Sequence, residues 1–182
     1  MCAHKFADLS EYGYGVSLLN DCKYGYDIHD SVIRLTLIKC GNYPNPDADK
    51  CRHEFTYSLF PHSGDFREAG TVKFAYLLNS PLEAKKIESQ NGTLSEEYSL
   101  LSIDSENVIC ETVKNAEDGD GVIVRLYECC NSRANVNLTL GFDFEDVYLT
   151  DLLENEERKL RKHGRTVNLT LKPFEIVTLK LK

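Results

Sequence analysis

Apolar and polar residues alternate with period 2 along most of the chain. In SVIRLTLI (residues 31–38), Ile33, Leu35 and Leu37 alternate with Val32, Arg34 and Thr36; EFTYSLF (54–60) sets Phe55, Tyr57 and Leu59 on one face. NVICETV, GVIVRLYECC, ANVNLTLGF, TVNLTLK and EIVTLKLK repeat the pattern in the second half. These runs are rich in Val, Ile, Thr, Leu and Tyr and are separated by clusters of Gly, Pro, Asn and Asp, the signature of strands joined by turns. About eight short strands at intervals of roughly 10 to 20 residues predict an all-β fold, an antiparallel β-sandwich.

One segment departs from this period. GDFREAGTVKFAYLLNSPL places Phe66, Ala69, Gly70, Phe74, Leu77 and Leu78 at helical spacing, which predicts one short helix near 66–79 with Asp65 as N-cap and Pro81 beyond its end. Next, EAKKIESQNGTLSEEYS is polar and without period, an exposed connection. The chain therefore divides into residues 1–82, a connection over 83–97, and a β-rich part over 98–182. Within the last part, VIVRLYECCNSRANVNLTLGF reads as a hairpin around Asn131-Ser132. GRTVNLTLKPFEIVTLKLK reads as two strands broken at Lys172-Pro173, because proline gives nothing to a ladder.

Composition narrows the classes. Of 182 residues, 42% are hydrophobic and 27% charged, ordinary for a globular protein. The net charge of -8, with no basic run, disfavours nucleic acid as a partner. Arg158, Lys159, Arg161, Lys162 and Arg165 follow Glu154, Glu156 and Glu157, a solvated mixed-charge loop. No apolar run reaches the roughly 20 residues that span a bilayer. Seven cysteines, with no C-x-x-C pair and with Cys129 and Cys130 adjacent, point to a reducing, cytoplasmic setting and not to a disulfide framework.

A search for chemistry returns no catalytic motif. G-x-S-x-G, the P-loop and the dinucleotide fingerprint are missing. Acids are plentiful, among them Asp21, Asp27, Asp30, Asp47, Asp49, Glu54, Asp65 and Glu68, but no two stand out as a glycosidase pair. Cys2-Ala3-His4 is a C-x-H, and His29, His53 and His62 lie in separate predicted loops or strands, so no metal site is predicted. The unusual feature is the first half's long loops, NDCKYGYD, NYPNPDADKCRHEF and FPHSGDFREAG. Tyr24, Tyr26, Tyr43, Arg52, His53, His62 and Arg67 in them have the chemistry of a sugar-facing surface, with aromatic faces for C–H groups and forked donors for hydroxyls. The same residues are also good loop formers.

FADLSEYGYGVSLLNDCKYGYDIHDSVIRLTLI, CRHEFTYSLFPHSGDFREAGTVKFAYLLNSPL (with Cys51 at the usual glycine) and PFEIVTLKL together resemble the C-terminal region of family-38 glycoside hydrolases, in particular the cytosolic, neutral α-mannosidase branch and its bacterial relatives. VIVRLYE and DLLE add to the match, and residues 84–105 match least. The resemblance implies the end of a large β-sandwich followed by a smaller terminal sandwich. It also implies a parent enzyme that hydrolyses terminal α-mannosides with retention, using a nucleophilic aspartate, an acid/base carboxylate, and zinc or another divalent metal. That machinery belongs to an H-x-D motif and an R-x-D-x-F-like region in an α/β domain, and neither motif occurs here. This chain is then expected to carry no catalytic residue and no metal ligand, and to be inactive alone. Met1 stands mid-domain relative to the family, so a truncated chain is expected.

The resemblance brings the NDCKYG loop to the rim of the substrate pocket. Asn20, Asp21, Lys23 and Tyr24, with Arg52 and His53, are the expected rim residues. The arginine that other branches carry soon after this loop corresponds to Lys39. The expected partners are the catalytic domain and, in the whole enzyme, an α-mannoside or oligosaccharide; an exposed docking face would also favour a homo-oligomer. Two other readings are a free-standing carbohydrate-binding β-sandwich and an independent enzyme built on a local Cys or acid.

Overall fold

Alternation is clearest in the second half, and there it builds a closed sandwich. The computed structural model describes residues 1–88, 91–93 and 95–182, and the chain separates into two compact units, Met1–Glu88 and Ser89–Lys182. In the second unit, β7 (Val108–Asn115), β8 (Val122–Glu128), β10 (Val147–Thr150), β11 (Glu156–Lys159) and β14 (Ile176–Leu181) form an antiparallel sheet in the order β11-β10-β14-β8-β7. A second sheet, in the order β12-β13-β9-β6, holds β6 (Leu101–Ile103), β9 (Ala134–Leu140), β12 (Lys162–His163) and β13 (Thr166–Leu171). Every second residue of β9 is buried, and Val136, Leu138 and Leu140 meet Val124, Leu126, Val177 and Leu179 of the opposite sheet in one core. Gly121 closes the β7–β8 turn at φ 112°, where a Cβ would stand 2.2 Å from the carbonyl oxygen of Leu181.

The hairpin expected around Asn131-Ser132 does not form. β8 pairs with β7 and β14, whereas β9 pairs with β6 and β13, so residues 129–133 cross from one sheet to the other. The crossing is organised by Glu128, whose carboxylate is fully buried. It accepts hydrogen bonds from the backbone N–H of Cys130 (2.8 Å) and of Phe174 (3.0 Å), from Asn107 Nδ2 (3.0 Å) and from Ser132 Oγ (3.3 Å). Burial pushes this carboxyl up, and the bonds from Phe174, Cys130, Ser132 and Asn107 outweigh it, leaving the group below its ordinary range. The expected break at Lys172-Pro173 is present: β13 and β14 lie in different sheets.

The first unit is thinner. β1 (Phe6–Glu11), β2 (Tyr14–Asn20) and β5 (Tyr57–Ser63) form a three-stranded antiparallel sheet in the order β1-β2-β5. β3 (Tyr26–His29) and β4 (Val32–Leu35) form a separate hairpin whose Tyr26, Ile28, Ile33 and Leu35 pack on Ala7 and Leu18. On the other side lies α1 (Thr71–Asn79). This helix begins five residues later than expected. Asp65 caps no helix; its carboxylate accepts the N–H of Arg67 (2.8 Å) and of Glu68 (3.2 Å) in a tight turn, and Gly70 at φ 66° sets the true start.

The face that α1 buries is not the stripe of Phe74 and Leu77. Thr71, Val72 and Ala75 are buried, small enough for close approach to the sheet, while Phe74 and Leu77 are 46% and 51% exposed. In β5 the face of Tyr57 and Leu59 likewise points outward. The described residues of 83–97 carry no helix or strand; Ser89, Gln90 and Leu94 of that expected connection lie outside the described residues.

Candidate functional site

β2 ends at Asn20 and β3 begins at Tyr26, which pairs with β4, so residues 21–25 are a crossing between the sheet and the hairpin and not a hairpin tip. Asn20 is 1% exposed and all its polar groups are engaged. Its Oδ1 accepts the N–H of Lys23 (2.6 Å), its Nδ2 donates to the hydroxyl of Tyr26, its carbonyl accepts Asn79 Nδ2 (3.0 Å), and its N–H donates to the Lys5 carbonyl (2.8 Å). Tyr26 in turn donates to the Leu18 carbonyl at 3.3 Å, and burial raises its phenol pKa. Asn20 therefore fixes the loop from within and presents nothing to solvent.

Asp21, Lys23 and Tyr24 are the outward part. Asp21 Oδ2 accepts the N–H of Thr56 (2.9 Å), and the Asp21 N–H donates back to the Thr56 carbonyl (3.2 Å). The Cys22 thiol and then the Thr56 N–H hold the Asp21 carboxyl below its usual range. Lys23 Nζ stands 4.8 Å over the ring of Phe55. Tyr24 is 48% exposed, its ring 4.8 Å from that of His4 and its carbonyl bonded by the N–H of Ala3 (3.0 Å). The loop is thus clamped to residues 55–56. Arg52 and His53 lie just before that clamp and make local contacts: Arg52 with Glu54 at 2.5 Å, and His53 Nε2 with the Asp49 carbonyl at 2.8 Å. Of the wider aromatic and basic set, Tyr26 and His62 point inward, while Tyr43 is almost fully exposed.

His62 belongs to a buried polar cluster that the pattern of the sequence does not mark. Its Nε2 lies 2.8 Å from Asp8 Oδ1 and 3.3 Å from Ser17 Oγ; Ser17 donates to Asp8 Oδ1 at 2.6 Å and meets Thr71 Oγ1 at 2.9 Å. The one signal for it is Ser17 itself, a polar residue inside the apolar run VSLL. The cluster contains Ser, His and Asp but is no nucleophilic triad. A triad needs the acid and the hydroxyl on opposite ring nitrogens, and here both face Nε2, with Ser17 fully buried. It binds α1 to the sheet.

Other chemistry is also limited. Burial first, then its neighbour Cys130, pushes the Cys129 thiol up to about 12, the opposite of what a reactive thiolate needs. Among the described residues, no three of His, Cys, Asp and Glu converge to hold a metal. No helix among them is long and apolar enough to cross a membrane.

Two family models match the chain: the glycosyl hydrolases family 38 C-terminal domain over residues 1–47, and the family 38 C-terminal beta sandwich domain over residues 107–179. The chain is 40% identical to human alpha-mannosidase 2C1 over 98% of its length and 34% identical to Dictyostelium discoideum alpha-mannosidase G over 97%. It spans only 18% and 17% of those relatives. Its fold is similar to part of an alpha-mannosidase from Enterococcus faecalis V583, with a TM-score of 0.82 and 22% identity, covering 100% of this chain and 21% of that one.

Proposed function

The chain belongs to the family 38 glycosyl hydrolases through that family's C-terminal domains, and on that premise we propose that it is the non-catalytic C-terminal β portion of an α-mannosidase. The whole enzyme hydrolyses terminal α-mannosides with retention; this portion completes the rim of the active site and supports the fold. One observation carries the reading: the relatives match nearly all of this chain, yet it makes up less than a fifth of them. The catalytic domain is its partner, and the divalent metal belongs to that domain. Asp21, Lys23 and Tyr24 are the proposed rim residues, held in place by Asn20, with Arg52 and His53 on the neighbouring segment. A cytoplasmic location goes with this reading: all seven cysteines are free thiols, and four of them are exposed, which suits a reducing compartment.

The test is turnover by the purified chain on an aryl α-mannoside, with zinc or cobalt added. No release of nitrophenol is expected. Metal-dependent turnover by the pure chain would overturn the proposal. Titrating mannobiose separates it from a free-standing binding module: submillimolar affinity of the chain alone favours the module, and no binding favours a rim that works only beside its catalytic domain.

A further inference from the structure

We infer that the free edge of β5, with the apolar band around it, seats an extended segment from the polypeptide that precedes this chain in the whole enzyme, which joins the three-stranded sheet as a fourth strand. The inference rests on the reading above and names the surface through which this portion meets its partner.

The two edges of the sheet differ. The strand order leaves β1 at one edge and β5 at the other. In β1, Phe6, Ala7 and Leu9 are buried or half-buried, and the exposed positions are Ser10 and Glu11. In β5, Tyr57 and Leu59 are 55% and 64% exposed on one side of the strand. On the other side Phe60 is half-buried, its ring 4.8 Å from that of Phe74, which is itself 46% exposed, and Leu77 follows one turn later at 51%. The apolar surface therefore continues from one side of the strand to the other.

An edge strand with large apolar residues on show is a template for pairing, and folded proteins guard such edges with lysine, proline or a covering element. β5 has no lysine, and its one proline, Pro61, lies towards its far end. Residues 57–60 remain, a length suited to a short added strand whose alternate apolar side chains pack against Tyr57 and Leu59. The occupant follows from length: the matched domains are the C-terminal ones and the chain spans 18% of the human relative, so a long polypeptide lies before it there.

Hydrogen exchange on this chain and on the longer polypeptide that includes the preceding domains tests the inference. The outward amides of residues 57–60 are expected to exchange roughly tenfold or more slowly in the longer polypeptide, a larger slowing than for the amides of β2, which are paired on both sides in either sample. Leu59→Lys should restore fast exchange at 57–60 in the longer polypeptide and leave the melting of this chain alone unaltered. Equal exchange at 57–60 in the two samples overturns the assignment. So does concentration-dependent protection in this chain alone with a dimer by light scattering, because a second copy would then fill the edge. Full turnover by the enzyme after deletion of this chain would instead sink the underlying reading, whatever the exchange shows.

Discussion

The two units treat their apolar residues in opposite ways. Among the described residues, the core of the second unit gathers fourteen buried apolar residues between two sheets that cover each other, whereas the apolar cluster of the first holds three, Ala7, Leu18 and Tyr26. The other side of the first sheet sets the polar group of Asp8, Ser17, His62 and Thr71 beside the small buried Val72 and Ala75 of α1. Meanwhile Tyr57, Leu59, Phe74 and Leu77 lie outside. A closed sandwich turns its large side chains inward; a sheet that keeps a polar interior and shows aromatic and aliphatic residues to solvent is built to be covered. The second unit is therefore expected to be the source of the chain's intrinsic stability, and the first to depend on its context.

Truncating one leucine in each unit should separate them most. Leu138 is fully buried between the two sheets, and Leu138→Ala is expected to cost about 4 kcal/mol in urea unfolding, in the upper part of the range for such substitutions. Leu18, 6% exposed under the β3–β4 hairpin, should cost about 2 kcal/mol, because a thin layer collapses into the space more easily. Equal costs would show that the first unit is as closed as the second.

Glu128 gives the next largest effect and sharpens the comparison, since it is a polar device inside the closed unit. Glu128→Ala removes the fully buried carboxylate that accepts the N–H groups of Cys130 and Phe174 and is expected to cost about 3 kcal/mol, with Glu128→Gln costing less. The sign of the pH dependence follows from its lowered pKa. The ordinary value is 4.5, so the stabilisation is complete above that and is lost as pH falls through the lower folded value. Unfolding midpoints measured from pH 6 to pH 3 should fall for the parent chain and fall less for Glu128→Gln. An identical acid limb in both would remove Glu128 from the account.

Period-2 alternation was enough to read the second unit's strands, because both its sheets are half-buried and their inward residues sit at every second position, as in Ala134, Val136, Leu138 and Leu140. It did not tell which strands pair. A turn such as CCNSR is written in the same residues whether it closes a hairpin or crosses between sheets, and the deciding group, Glu128, looks like any strand-end acid until its partners Asn107 and Phe174 arrive from distant segments. In the first unit the pattern did not give the direction. Tyr57 and Leu59 share a strand face and Phe74 and Leu77 a helical stripe, as their spacing predicts, yet these four face out. The loop itself was legible as a concentration of aromatic and charged residues. That Asn20 would be its buried anchor was not, because burial of an asparagine depends on Tyr26, Asn79 and Lys5 meeting it in space.

The smallest effects belong to the loop and decide whether the open unit reaches the substrate. Asp21 bonds the Thr56 N–H at 2.9 Å and so joins two segments, whereas the exposed part of the Tyr24 ring is free for a ligand. Asp21→Ala is expected to lower stability by no more than about 1 kcal/mol, and Tyr24→Ala by less. In the whole enzyme the two should then part in kinetics. On the rim role proposed for Tyr24, Tyr24→Ala should raise KM for an α-mannoside several-fold and leave kcat unchanged, since a stacking contact made equally in ground and transition states affects binding alone. Asp21→Ala should raise KM only as far as it loosens the clamp to residues 55–56. If both variants keep the parent KM, residues 21–24 are a structural crossing, and the first unit meets only the neighbouring domain and not the sugar.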